Sequence, residues 1–284
     1  MNKTETFRET YASIKKGYLH NSVNGVEYMT IPQWDRFPEL VHAFSTRRGG
    51  VSESPYDSLN INLLRPSSQQ GVMENFKRIT QALNVGIDDL TLINYAHGDN
   101  IEIVSRGHRG MGLLRKTGLP VCDALITNES GIVIVTTHAD CSSFMIYDPI
   151  KQAAAACHAG WKGILLRIGQ KTVEKMSAAF GSKPEDCLTG IGPCICTDCF
   201  EVDFPVAELF ETEYPDIAIK QKRKDGKYLV DLVQCAAKQF IDAGIRPEQM
   251  VIADECTYEL KDRYYSFRRD GADSGSMAGF IGLR

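Results

Sequence analysis

DALITNESGIVIVTTHADCSSFMIYDPIKQAAAACHAGWKG, residues 123–163, carries four apolar runs in quick succession. They are DALITN (123–128), GIVIVTTH (131–138), SFMIYD (143–148) and AAAACHA (153–159), with turn-forming residues between them. Short runs bounded in this way read as β-strands. Their apolar character is nearly continuous rather than alternating, which implies burial on both faces. The last run passes through His158 into Gly160-Trp161-Lys162-Gly163. A helical stripe of Ile164, Ile168, Val173, Met176 and Phe180 follows, so a helix is expected over 163–180 with Gly181 closing it. Strands and helices packed together in this order predict an α+β domain.

The flanks extend the same pattern. VHAFST (41–46) reads as a strand feeding the polar loop RRGGVSESPYDSLN. A helix is expected over 70–83, with Val72, Phe76, Ile79 and Leu83 on one face and a capping box of Ser67 and Gln70. LINYA (92–96) is a short strand ending at His97. A second helix spans 230–243 before Gly244, and the tail reads as loop followed by a short strand. Asn24-Gly25, between two β-prone runs, is a type I′ hairpin signal. No linker or repeat interrupts the chain. We therefore expect one compact domain, residues 40–284, with residues 1–39 as a hairpin segment packed on it.

Composition narrows the function. With 43% hydrophobic and 24% charged residues in 284, the chain is neither disordered nor a coiled coil. A net charge of −4 gives no electrostatic support to a nucleic-acid or anionic-membrane partner. No apolar run is long enough to span a bilayer, and the N-terminus lacks the apolar stretch of a signal peptide. A cytoplasmic monomer is expected, with its nine cysteines reduced.

Several residues could carry chemistry. His97, Cys141 and His158 each stand at a strand end, where sites are commonly assembled. Two histidines and a cysteine make three ligands of a catalytic zinc, or a Cys–His nucleophile pair. His138 would point away from Cys141 in an extended strand, so a structural role is expected for it. Cys194, Cys196 and Cys199 look like half a metal knuckle, yet Cys187 and Cys235 show no matching spacing. They are read as loop thiols, and Cys122, Cys157, Cys187, Cys235 and Cys256 as core thiols. Arg47 and Arg48, before Gly49-Gly50, form either an anion site or a solvated turn. Arg268-Arg269-Asp270 forms an anion site or an internal ion-pair cluster.

FSTRRGGVSESPYDSLNINL (44–63), His97-Gly98, DALIT (123–127), ADC (139–141), HAGWKG (158–163), GPCICTDCFEV (192–202) and SFRRDG (266–271) together resemble the YfiH/YlmD family. Its members are called multicopper polyphenol oxidoreductases (laccases) in one naming and purine nucleoside phosphorylases in another. The resemblance implies a four-layer α/β/β/α sandwich and a metal and active-site triad of His97, Cys141 and His158, with zinc the usual ion. It implies phosphorolysis of adenosine, inosine, guanosine and methylthioadenosine to base and pentose 1-phosphate, and deamination of adenosine. Purine nucleosides and phosphate are then the partners, and Arg47 matches an arginine assigned to phosphate or substrate. The sequence departs from the family pattern at Tyr95, at Ser142-Ser143, at Cys196 and at Gly275-Ser276.

Zinc on the triad would lower the pKa of a bound water to around 7, as deamination requires. Asp140 is the nearest proton shuttle in sequence. Two rival readings remain. A full multicopper oxidase needs on the order of ten histidines, and the chain has six. That leaves a single copper in the same site as the laccase-like alternative. A metal-free cysteine hydrolase or amidase acting on peptidoglycan precursors, with Cys141 as nucleophile and His158 as base, is the other.

Overall fold

The computed structural model describes residues 3–64 and 69–284. Two large sheets lie face to face. The first has seven strands in the order Lys15–Lys16, Met250–Ile252, Leu188–Ile191, Ser142–Asp148, Ala153–Ala159, Ala124–Thr127 and Ile101–Ile103. The second has six, in the order Leu19–Val23, Val26–Thr30, Leu40–Ser45, Met277–Leu283, Ile132–His138 and Leu90–Leu92. A small third sheet pairs Glu201–Val202, Tyr228–Val230 and Ile219–Lys222.

Side-chain parity builds the layers. In Ser142–Asp148, Phe144 and Ile146 face the helices Ile168–Phe180 and Leu232–Asp242, while Met145 and Tyr147 face the second sheet. Ala155 and Cys157 likewise go to the helices and Ala154 and Ala156 to the second sheet. In Ile132–His138, Ile132 and Ile134 meet the first sheet, and Val133 and Val135 meet the helix Gln69–Ala82 through Val72, Phe76 and Ile79. Helices, sheet, sheet and helix are thus four layers. Strands between two apolar layers need apolar residues at both parities, and this accounts for the unbroken runs over 123–159.

The expected strands, other than the one before His97, and the Asn24-Gly25 turn are present, with Asn24 at φ 52° and Gly25 at φ 81°. A further helix, Lys3–Ala12, packs on Leu232–Asp242. Ser67 of the expected capping box lies outside the described residues.

Three expectations are corrected. The helix over 163–180 is two helices, Trp161–Leu165 and Ile168–Phe180, broken where Arg167 adopts φ 59°. Arg167 is clamped there by Glu213, Asp242 and the ring of Tyr214. The tail strand, expected to be short, runs seven residues, as long as any in the sheets. Met277–Leu283 sits between Leu40–Ser45 and Ile132–His138 in the middle of its sheet. The strand before His97 ends at Leu92, and His97 stands in a loop.

Candidate active site

His158 is fixed by strand register. It pairs with Ser143 across the antiparallel strands Ala153–Ala159 and Ser142–Asp148, and by parity lies on the intersheet side, with Ala154 and Ala156. Cys141 immediately precedes Ser142–Asp148, so one strand pair delivers both residues to the same end. His97 arrives on its own loop, at φ 61°. The ligand atoms of the three residues lie within 4.8 Å of one another. His158 is buried, Cys141 half-buried and His97 exposed, so the cluster opens to solvent on the His97 side.

Asp123 holds this arrangement together. Its carboxylate is 1% exposed, and Oδ1 accepts from His158 Nδ1 at 2.9 Å and from the His97 amide at 2.9 Å. Oδ2 accepts from the amides of Gly98 at 2.7 Å and Ala96 at 3.2 Å. The same residue's carbonyl accepts the His158 amide at 2.7 Å. Burial favours a neutral carboxyl, but these donors outweigh it and hold Asp123 below the usual carboxylate range. With Nδ1 engaged, Nε2 is the His158 nitrogen left for a metal.

Charge is concentrated on the pair beside it. Burial pushes the Cys141 thiol up, but the neighbouring His158 charge and hydrogen bonds from His158 and His97 bring it down to about 6. Burial pulls His158 down, but Cys141 and Asp123 together raise it to about 9. Without metal, the pair at neutral pH is a thiolate beside an imidazolium.

Gly160 leaves room for the cluster. A Cβ there would stand 2.8 Å from His97 Cδ2 and 3.2 Å from Cys141 Sγ. Tyr95 stacks on His158 with ring centroids 4.0 Å apart. It also lines a pocket of about 250 Å3 with Asn62, Leu92, Ile93 and Thr137.

The other expected residues fall elsewhere. His138 is buried on the strand Ile132–His138, edge-on to Phe44, and is not among the clustered donors. Asp140 is not free to shuttle protons. Oδ1 accepts from Thr257 Oγ1 at 2.7 Å, and Oδ2 accepts from Ser266 Oγ at 3.0 Å and the Arg268 amide at 2.6 Å. It anchors the backbone before Cys141, and Asp123 is the carboxylate that touches the triad. Arg47 also lies outside the cluster. It donates to the carbonyls of Asp57 and Lys261, pairs with the Asp57 carboxylate and stacks on Tyr265, in an open pocket of mixed charge lined by Arg48, Lys261 and Arg269 and by Asp57, Asp262 and Asp270. Arg269 pairs with Asp270 and ties the carbonyls of Thr257, Tyr258 and Tyr264.

The departures noted in the sequence now have places. Tyr95 covers His158, and Ser143 bonds Thr136 of the facing sheet at 2.7 Å. Ser276 accepts from Asn62, in the wall of the Tyr95 pocket.

A family model described as multi-copper polyphenol oxidoreductase laccase matches residues 41–284. The chain belongs to the YfiH/YlmD family. Within that family, purine nucleoside phosphorylase YlmD of Bacillus subtilis is 31% identical over 249 residues, covering 87% of this chain and 89% of the relative. A purine nucleoside phosphorylase of Deinococcus radiodurans is 34% identical over 250 residues, covering 87% and 92%. The crystal structure of YlmD from Geobacillus stearothermophilus superposes with a TM-score of 0.86 at 27% identity, covering 93% of this chain and 98% of that one. That of the Bacillus licheniformis hypothetical protein YfiH gives 0.85 at 30%, covering 93% and 99%. The fold expected from the sequence is the fold of the family. Among the described residues, no helix is long and apolar enough to cross a membrane.

Proposed function

We propose that the chain is a zinc-dependent purine nucleoside phosphorylase that also deaminates adenosine, working at His97, Cys141 and His158. The observation that carries this reading is the convergence of those three donors at one open end of the paired sheets. The names of its relatives support the nucleoside chemistry.

Two imidazoles, one thiolate and a carboxylate behind a ligand histidine suit zinc, and Gly160 keeps the space clear. Bound there, zinc supplies Lewis acidity and an acidified water. Asp123 keeps the proton of His158 on Nδ1 and fixes the ring. Tyr95, stacked on that ring, excludes water from its far face and offers the adjoining pocket to the purine. In phosphorolysis a phosphate oxygen bonds C1′ as the C1′–N bond breaks, and the base leaves with the electron pair and takes up a proton. The pocket at Arg47, where Arg48 and Lys261 stand among Asp57, Asp262 and Asp270, is the proposed phosphate contact. Adenosine, inosine, guanosine and methylthioadenosine are the proposed substrates, turned over by a cytoplasmic monomer.

A second reading is favoured by the thiolate–imidazolium pair: Cys141 as the nucleophile of a metal-free hydrolase, with His158 as its base. One assay separates them. Protein is incubated with adenosine, with and without phosphate, beside Cys141→Ala and a chelated sample, and products are resolved by chromatography. Adenine formed only with phosphate, and inosine formed without it, both lost on chelation and in the variant, are expected. Intact adenosine overturns the nucleoside reading. Cleavage of an amide substrate that survives chelation supports the hydrolase. A blue absorption band in copper-loaded protein would support the laccase-like alternative.

A further inference from the structure

Cys196 and Cys199 are not loop thiols standing alone. The structure brings Cys256 and Glu259 to them, and the four ligand atoms lie within 4.8 Å of one another. Cys256, expected as a core thiol, is buried at the inner edge of this group, and Glu259 is exposed at the outer edge. We propose that Cys196, Cys199, Cys256 and Glu259 hold a second, structural zinc ion.

The chain presents the donors as two equivalent turns. Cys196-Thr197-Asp198-Cys199 and Cys256-Thr257-Tyr258-Glu259 have the same spacing. In the first, the amides of Cys199 and Phe200 return to the Cys196 carbonyl; in the second, the Leu260 amide returns to the Cys256 carbonyl. A β-bridge between Cys194 and Cys256 sets the turns side by side. The Cys196 amide donates to Cys256 Sγ at 3.3 Å, which fixes where that sulfur points. Cys199 Sγ stands 3.5 Å from Glu259 Oε1, and among the described residues no lysine or arginine pairs with that carboxylate. Three thiols and a carboxylate with no cation between them are a ligand set waiting for one.

The spacing selects the ion. Zinc–sulfur bonds of about 2.3 Å put tetrahedral sulfurs about 3.8 Å apart, so the donors need to close by at most about 1 Å. Three soft donors disfavour magnesium and calcium. Four protein ligands leave no open position, which makes the site structural rather than catalytic.

Its consequence reaches the triad. Ile195, immediately before the first turn, donates its amide to the Asp140 carbonyl at 3.1 Å, and Thr257, on the second, donates through Oγ1 to Asp140 Oδ1 at 2.7 Å. Asp140 precedes Cys141. The second ion would brace both turns that hold the backbone of Cys141.

The test uses protein purified without oxygen, its zinc content measured by mass spectrometry, and cobalt(II) substitution. In Cys141→Ala the triad has no thiolate left, so any sulfur-to-cobalt absorption band must come from the second site. We expect wild type to hold two zinc ions and Cys141→Ala to keep one tightly, with the cobalt band persisting. Adding Cys196→Ser/Cys199→Ser to Cys141→Ala should remove that ion and the band. Should that variant not fold, Glu259→Gln at the exposed ligand serves, with chelator removing the second ion at least roughly tenfold more readily than from wild type. A Cys141→Ala protein with no tight zinc and no cobalt band overturns the proposal. So does a Cys196–Cys199 disulfide in the protein as isolated.

Discussion

Asp123 Oδ1 accepts the Nδ1 proton of His158 at 2.9 Å while also accepting the backbone amide of His97 at 2.9 Å. One buried carboxylate therefore sets the ring of one triad histidine and the loop of the other. Asp123→Asn keeps the volume but loses the charge and leaves an amide facing donors. Loss of such a partner typically costs 10–100-fold in metal affinity, and that range is expected for zinc competition against a chelator. Asp123→Ala should in addition lower stability by about 3–5 kcal/mol, because His158 and three amides lose a buried acceptor. Unchanged affinity in Asp123→Asn would show that the pair is not what orients His158.

Gly160 separates a local effect from a global one. Its φ is −68°, which any residue adopts, so alanine there costs no backbone strain. Its Cβ would nonetheless meet His97 Cδ2 at 2.8 Å and Cys141 Sγ at 3.2 Å. Gly160→Ala should melt within a few degrees of wild type while metal affinity falls by roughly 10–100-fold. A large drop in Tm with metal retained would contradict this placement.

Much of this was legible because the decisive stretch is unusual in composition. Strands packed between two apolar layers must be apolar at both parities, and residues 123–159 announce that. His97, Cys141 and His158 could be picked out because each stands at the end of an apolar run. Asp123 was hidden in plain view at the head of such a run. Its donors lie 35 residues away at His158 and on backbone amides, which carry no sequence signal. Cys256 and Glu259 stand 60 residues from Cys196 and Cys199, and a Cys-x-x-Glu turn gives no warning until folding pairs it. The helix break at Arg167 was equally invisible. The apolar stripe runs through it unbroken, and ion pairs to Glu213 and Asp242 impose the turn.

Arg47 is a case where structural and binding roles can be told apart. Its guanidinium already spans the carbonyls of Asp57 and Lys261. Lysine keeps the charge but cannot span both. If Arg47 also contacts phosphate, Arg47→Lys should raise KM for phosphate by about tenfold, equivalent to about 1.4 kcal/mol, and leave phosphate-independent deamination at its original kcat. A parallel fall of both activities with Tm would assign it to the loop alone.

Cys141 gives a pH signature of the metal-free protein. Its thiol is lowered from 9.0 to about 6, chiefly by His158 acting against burial, while His158 is raised to about 9. Below about 6 the thiol is protonated. Between about 6 and 9 the thiolate–imidazolium pair persists, so alkylation by iodoacetamide should rise through a midpoint near 6 and then level off. At pH 7 about 90% of Cys141 would be thiolate, against about 1% for a thiol at 9. The gain in rate is far smaller than that ratio. A thiolate three units less basic loses roughly twentyfold in intrinsic nucleophilicity at a Brønsted slope of about 0.4–0.5. The midpoint rather than the speed is therefore diagnostic. His158→Gln removes the cation and leaves burial unopposed by it, so the midpoint, followed by peptide mass spectrometry of Cys141, should move up toward 9 or beyond. A midpoint near 9 in the wild-type protein would show that Cys141 and His158 are not ionised as a pair.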